Sequence, residues 1–300
     1  GQGQRIATLA RNSADLLILQ QGAMRLGAIF VPANWRLAAP ERQPILADCD
    51  PVLLLHDSAL DMAKPAGCAA LEVGSFATAL ERQTPAPRRA LPAADRPSII
   101  LYTSGTSGRP KGVILTEANA FATAVNFGVV GRIRHDSVVL CDAPIFHVIG
   151  LITNLRPVLL AGGTVLISSG FDPGLTNRCL ADPALGVTHY FCVPQMAKML
   201  REHAEFAPVR WTSLVALFTG GAPNPAADIR WRPRERGLKP DRHGAIGPGS
   251  AVFGPAEHVP HAAEGESPRH RAAAGARRLH GQGGYAGAPV AARGQCAAAP

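Results

Sequence analysis

Between Tyr102 and Val113 the chain reads Tyr-Thr-Ser-Gly-Thr-Ser-Gly-Arg-Pro-Lys-Gly-Val, directly after the apolar run Ser98-Ile99-Ile100-Leu101. Hydroxyl residues alternate with glycines in this string. Glycine lets backbone N–H groups approach an anion closely, serine and threonine donate from their side chains, and Lys111 adds a positive charge. Thr103, Ser104, Gly105, Thr106, Ser107, Gly108 and Lys111 are therefore candidates to cradle a polyphosphate. The spacing differs from the G-x-x-x-x-G-K-[ST] loop: counted from Gly105, Pro110 falls where the second glycine belongs, and counted from Gly108, Val113 does. Two further stretches bear on chemistry. Gly220-Gly221-Ala222-Pro223 follows the apolar run Val215–Thr219, and glycines without side chains let a flat ligand lie against bare backbone, although an ordinary strand-to-helix turn uses the same residues. Phe146 and His147 precede the apolar run Val148–Leu160, which suits either a core helix or the wall of an apolar pocket.

These residues need elements to position them, and up to Ile229 short apolar runs alternate with amphipathic stretches, the pattern of strands joined by crossover helices. Strands are predicted over Ala28–Val31, Val52–His56, Ile99–Thr103, Val138–Cys141, Thr164–Ile167, Thr188–Phe191 and Val215–Thr219. Helices are predicted over Ala14–Leu26, Pro40–Ala47, Glu117–Val130, His147–Leu160 and Pro194–His203. The fold class is α/β, with mainly parallel sheets and flanking helices. Leu60–Ala94, rich in Ala and Pro, reads as a surface excursion.

Beyond Ile229 the composition changes. About two-thirds of residues 230–300 are Ala, Gly, Arg or Pro, and about one in ten is Leu, Ile, Val or Phe, too few to build a core. A disordered tail is expected there. Its mixture is also what a GC-rich gene yields when read out of frame, so the tail is either a frameshifted sequence or a natural extension. The chain divides accordingly into 1–229 and 230–300.

The formal net charge of +8 belongs mostly to that tail, which has eleven Lys and Arg against five Asp and Glu, leaving +2 for the remainder. A nucleic-acid reading of the whole chain is thereby weakened. The six cysteines form no C-x-x-C pair and no metal-ligand spacing, so no residue is assigned to a metal, and reduced, buried thiols in a cytoplasmic protein are expected. No apolar run reaches the roughly 18 to 20 residues that a membrane span requires.

At Tyr102–Val113 the chain resembles the adenylate-forming superfamily of acyl-CoA synthetases, peptide-synthetase adenylation domains and luciferases, whose phosphate loop reads like Y-T-S-G-T-T-G-x-P-K-G-V, with Ser107 standing where threonine is usual. Gly27–Asn34 is similar to that family's G-A-V-x-V-P-x-N segment, Pro144–Gly150 to its P-x-F-H-x-x-G motif, and Gly220–Pro223 to its G-G-A-P turn. The resemblance covers residues 1–229 as a partial AMP-binding domain. It implies ATP, Mg2+ and CoA as cofactors and cosubstrates, and a small carboxylic acid, a fatty acid first among them, as the partner that is activated to acyl-AMP and passed to CoA. It also implies that Thr103–Lys111 hold the β and γ phosphates and that Phe146 and His147 gate the acyl pocket.

Other parts expected from the resemblance are not found. Residues 237–254 contain no Y-G-x-T-E string, whose Glu would hold magnesium, and neither a ribose-binding Asp nor a C-terminal Lys can be assigned. The expectation is a truncated acyl-CoA synthetase relative that turns over no substrate. The alternatives are a catalytically silent nucleotide-binding or interaction module, and nucleic-acid binding through the basic tail.

Overall fold

The computed structural model describes residues 1–61, 64–87, 90–103, 110–222, 238–241 and 251–255, the last two segments as backbone only. Two six-stranded sheets form the architecture, each mainly parallel, with helices on their faces and between them.

The first sheet opens with β1 (Arg5–Leu9), followed by α1 (Ala14–Leu26) and β2 (Ile29–Pro32). The helix carries Asp15 in its first turn and Arg25 in its last, as the helix dipole favours, and stops at Gly27, whose φ of 76° is left-handed. After α2 (Ala39–Cys49) come β3 (Leu53–His56), β4 (Ala69–Glu72), α3 (Val73–Glu81), β5 (Pro97–Thr103) and β6 (Lys111–Thr116). The spatial order is β4-β3-β1-β2-β5-β6, with every pairing parallel except β5 with β6.

The second sheet begins after α4 (Glu117–Gly131), which is capped by Thr116: its Oγ1 accepts from the Asn119 N–H at 3.1 Å, and Asn119 returns a bond to the Thr116 N–H. Then follow β7 (Val138–Cys141), a π-helix (Ile149–Leu155), α5 (Arg156–Ala161), β8 (Thr164–Ile167), α6 (Pro173–Ala181), β9 (His189–Cys192), α7 (Pro194–Glu202) and β10 (Ala216–Thr219). β11 (Leu238–Asp241) and β12 (Ala251–Pro255) complete the order β11-β12-β10-β9-β7-β8.

The core runs between the sheets. Leu16 and Ala23 of α1, Phe30 of β2, Ile99 of β5 and Ala120 of α4 join Cys141, Ile145, Leu151, Ile152 and Leu155 from the second half in one buried cluster. Two polar ties cross the same space. Asn12, just beyond β1, is buried; its Nδ2 donates to the Ala143 carbonyl at 2.9 Å, and its Oδ1 accepts from the Ile145 N–H at 2.9 Å. Arg156 at the start of α5 donates to both oxygens of Glu117 in α4, at 2.6 and 3.1 Å, and Ser98 of β5 donates to the same carboxylate at 2.8 Å.

Several sequence expectations are corrected. Leu60–Ala94 is not only a surface excursion, because β4 pairs with β3 and Phe76 of α3 is buried in the core. The helix expected over His147–Leu160 is a π-helix followed by a short α-helix. Pro157, within the first turn of α5, supplies no N–H, and Gly150 sits so close to the preceding turn that a Cβ would lie 2.2 Å from the Pro144 carbonyl oxygen. Beyond residue 229 the described segments are β11 and β12, and β12 pairs antiparallel with both β10 and β11. No helix among the described residues is long and apolar enough to cross a membrane.

Replacing Asn12 by Ala is expected to lower unfolding free energy by about 3 kcal/mol, because a buried carbonyl and a buried N–H both lose their partner. Arg134→Ala, which breaks an exposed ion pair with Asp136, is expected to leave it nearly unchanged. Urea unfolding of both variants measures the contrast, and equal small effects would show that Asn12 does not tie the sheets.

Candidate functional site

Parallel strands align their carboxyl ends, so the residues that leave β1, β2 and β5 share one edge of the first sheet, and those that leave β7, β9 and β10 share one edge of the second. Open α/β sheets bind ligands at such carboxyl edges. Here the two edges meet, since Asn12 follows β1 and binds the chain leaving β7. A second contact lies alongside. Arg36, beyond β2, places its guanidinium 5.9 Å from the centre of the Phe146 ring and 5.2 Å from that of Trp35, while Arg11 lies 5.3 Å from the same indole.

On the first edge, Thr103 and Lys111 are the last and first residues of the β5–β6 hairpin and face each other directly, with the Thr103 hydroxyl 3.5 Å from the Lys111 carbonyl. Both side chains are exposed. Ser104, Gly105, Thr106, Ser107 and Gly108 lie outside the described residues. β5, the strand that leads into these residues, pairs in parallel with β2.

On the second edge, Gly220 is buried, and Gly221 and Ala222 are exposed immediately beyond β10; Pro223 lies outside the described residues. Gly221 adopts a φ of 86°, and a Cβ there would come within 2.9 Å of Ile149 Cδ1. Only glycine suits both the left-handed backbone and this close approach. Thr219 Oγ1, one residue earlier, is buried without a hydrogen-bond partner among the described residues.

Ile149 links this turn to the Phe146–His147 segment. Its N–H points at His147 Nδ1 at 3.4 Å, and its side chain packs in a buried cluster with Phe127, Phe191 and Phe218. The phenylalanine rings lie 4.9 to 6.3 Å apart, one pair edge-on, one tilted and one stacked. Desolvation lowers the His147 pKa below 6.5, so the ring is neutral near pH 7; with Nδ1 accepting, its proton sits on Nε2. The structure therefore gathers Phe146, His147, Gly220, Gly221 and Ala222 on one edge, and Thr103 with Lys111 on the edge it opposes.

Comparison with known proteins decides the family, since the AMP-binding enzyme family matches residues 1–280. The chain belongs to the AMP-binding enzymes. It is 36% identical over 238 residues to a feruloyl-CoA synthase of an Amycolatopsis species, a match covering 79% of this chain and 48% of that enzyme. An indoleacetate–CoA ligase of Aromatoleum aromaticum is 32% identical over 244 residues, covering 75% of this chain and 46% of the ligase. The inhibitor-bound N-terminal domain of FACL13 from Mycobacterium tuberculosis superposes with a TM-score of 0.68 at 30% identity, covering 77% of this chain and 60% of that one. ATP-bound MatB from Rhodopseudomonas palustris has the same fold, with a TM-score of 0.67 at 24% identity over 77% of this AMP-binding chain and 47% of its own. The chain spans about half the length of the curated relatives it matches.

Sequence reasoning missed Asn12, Arg11, Trp35 and Arg36. Trp35 and Arg36 directly follow the Gly27–Asn34 segment, and an arginine beside a tryptophan at a strand exit was the available signal. No three His, Cys, Asp or Glu side chains among the described residues group to hold a metal ion, so no residue here is given to magnesium.

A depressed His147 pKa has a stability consequence of definite sign. Between the folded and unfolded values the unfolded chain binds more protons, so this residue's contribution is present above pH 6.5 and is lost as pH falls through that window. In an NMR titration of the full chain the His147 ring is expected to protonate below 6.5. A midpoint at or above 6.5 would contradict its desolvated position.

Proposed function

We propose that this chain supplies the phosphate-binding and acyl-binding edges of an ATP-dependent acid–thiol ligase, and that by itself it binds a nucleotide weakly without turning it over. The observation that carries the reading is the opposition of two carboxyl edges, one bearing the Thr103–Lys111 hairpin and the other the Gly220–Gly221 turn beside His147. In such a reaction a carboxylate oxygen attacks the α-phosphorus of ATP, pyrophosphate leaves, and a thiol then takes the acyl group. The hairpin loop would hold the departing phosphates, with Lys111 offsetting their charge. Gly220 and Gly221 would let the nucleotide lie against backbone, where the orphaned Thr219 hydroxyl offers one more donor.

The acid proposed is apolar. Ile149, Val193 and the three phenylalanines behind them form an apolar wall beside the turn. Aryl and fatty acids both fit this description, in line with the feruloyl-CoA synthase, the indoleacetate–CoA ligase and a Mycobacterium tuberculosis long-chain-fatty-acid–CoA ligase among the relatives. Arg11 and Arg36, flanking Trp35 next to Phe146, would attract an anionic group of the thiol substrate, for which CoA with its phosphates is the candidate.

Lack of turnover is proposed because residues 237–254 hold no Y-G-x-T-E string and the described residues hold no acidic cluster for a metal ion. Losing even one transition-state contact of this kind costs about 3 kcal/mol. Calorimetry with ATP is expected to find weak binding to the full chain, weakened roughly tenfold by Lys111→Ala, or about 1.4 kcal/mol. Pyrophosphate release with a panel of aryl and fatty acids, magnesium and CoA is expected to stay at background. Undetectable ATP binding would favour an interaction module, and carboxylate-dependent pyrophosphate release would refute the silent reading.

A further inference from the structure

Asp142 directly follows β7 and is completely buried. Its carboxylate receives three short contacts from two other elements: the Thr176 hydroxyl of α6 donates to Oδ2 at 2.7 Å, and the Tyr190 hydroxyl of β9 lies 2.9 Å from Oδ2 and 3.1 Å from Oδ1. Two hydroxyls and a backbone N–H satisfy it, and among the described residues no cation influences it. The next residue, Ala143, offers its carbonyl to Asn12, Ile145 donates to the same side chain, and Phe146 and His147 follow. Asp142 thus anchors one end of the five-residue segment that carries the site, and Asn12 anchors its middle.

We propose that Asp142 is a proton-linked positioning residue, whose carboxyl sets how firmly the β7 exit, and with it Phe146 and His147, is held on the second sheet. A neutral carboxyl holds the exit firmly, because it can both accept from Thr176 and share its own proton with the Tyr190 oxygen at no charge-burial cost. An ionised carboxyl keeps its three contacts but remains a buried charge without a counter-ion, and a local opening that admits water relieves it. Burial is the largest influence on this group and pushes its pKa from 3.8 up to about 6, with the bonds from Thr176 and Tyr190 acting in the opposite direction. The sign follows. A carboxyl whose folded pKa is raised contributes stability fully below 3.8, and that contribution is lost as pH rises through about 6.

Two histidines near Asp142 also change charge around that window. Desolvation lowers the pKa of His147, on the exit itself, and of His189, beside Tyr190 on β9, below 6.5. Both act with the opposite sign, losing stability as pH falls, so a loss of protection on raising pH is not theirs. On its own strand, burial pushes the Cys141 thiol up to about 12; on β9, it pushes the Tyr190 phenol and the Cys192 thiol well above their ordinary values. Thr176 of α6 does not titrate. Arg201 of α7 acts on the Cys192 thiol. His189, also on β9, turns its ring to Thr188 and the Gly131 carbonyl. An asparagine of the same shape could satisfy Thr176 and Tyr190 without the charge, so a carboxyl here makes the hold on the exit respond to pH.

The consequence for an acyl site rests on the function proposed above, whereas the clamp itself does not. The test uses the full chain without ligand. Amide exchange protection at Ile145 and His147 is followed from pH 5 to pH 7.5, corrected for intrinsic exchange, alongside the 13C titration of the Asp142 carboxyl. In the unaltered chain, protection is expected to fall roughly tenfold between pH 5 and pH 7.5, the part of the gap between 3.8 and about 6 that lies above pH 5. Asp142→Asn is expected to hold high protection across the range. Tyr190→Phe, which removes a donor to the ionised form, is expected to move the carboxyl midpoint upward. A carboxyl that titrates near 4, or equal pH dependence in Asp142→Asn, would overturn the proposal. Should that variant not fold, the carboxyl midpoint of the unaltered chain and its shift in Tyr190→Phe still decide it. Failure of ATP binding would remove the function reading and leave these outcomes unchanged.

Discussion

One buried amide joins the two halves of this molecule. Asn12 leaves β1 and spends its side chain on the Ala143 carbonyl and the Ile145 N–H, which belong to the exit of β7 more than 130 residues later. Both partners are deep in the protein, where an unpaired carbonyl or N–H carries a free-energy penalty of about 1–3 kcal/mol, so the pairing fixes the relation of the two edges as well as stabilising it. The bidentate Arg156–Glu117 pair performs a similar task between α5 and α4, with Ser98 of β5 as a third member. Between these ties the apolar side chains of α1, α4 and the π-helix fill the space. Remove the register they impose, and the hairpin carrying Lys111 has no fixed relation to the turn at Gly221.

The opposed edges have complementary electrical character. One presents the exposed Lys111 at the mouth of a hairpin and two guanidinium groups around Trp35. The other presents a neutral histidine, a glycine turn and an apolar wall. Stacking on an indole keeps a guanidinium ordered and partly desolvated while leaving its N–H groups available, which suits recognition of phosphate. Charge and apolar surface are thus separated across a short distance, as a substrate pair with one polyanionic and one apolar member requires.

The sequence was most informative where one signal dominated. Parallel strands such as Val138–Cys141 and Thr164–Ile167 read as plain apolar runs, and their limits agree with the structure. The Gly27 stop of α1 was equally plain, because a left-handed residue after an amphipathic stretch leaves few alternatives. Elements whose order comes from context were not legible. β6 exposes Val113 and Ile114 and exists as the return strand of a hairpin, α3 buries mainly Phe76, and β11 and β12 are held by backbone pairing on an edge. The π-helix depends on Gly150 approaching the Pro144 carbonyl, a three-dimensional coincidence with no periodicity of its own. The site divides in the same way. Its motif residues were visible in one dimension, whereas Asn12, Arg11 and Arg36 acquire meaning only when strand exits from separate sheets come together.

The central claim is that a single nucleotide would engage both edges at once. Amide exchange of the full chain with and without a non-hydrolysable ATP analogue at saturating concentration tests this directly. The account expects concerted protection at Lys111–Val113, at Ile145–His147 and at Gly220–Ala222, with little change at α2 or α3. Protection confined to one edge, or appearing only in residues 230–300, would contradict a shared nucleotide cleft and return the two motifs to independent roles.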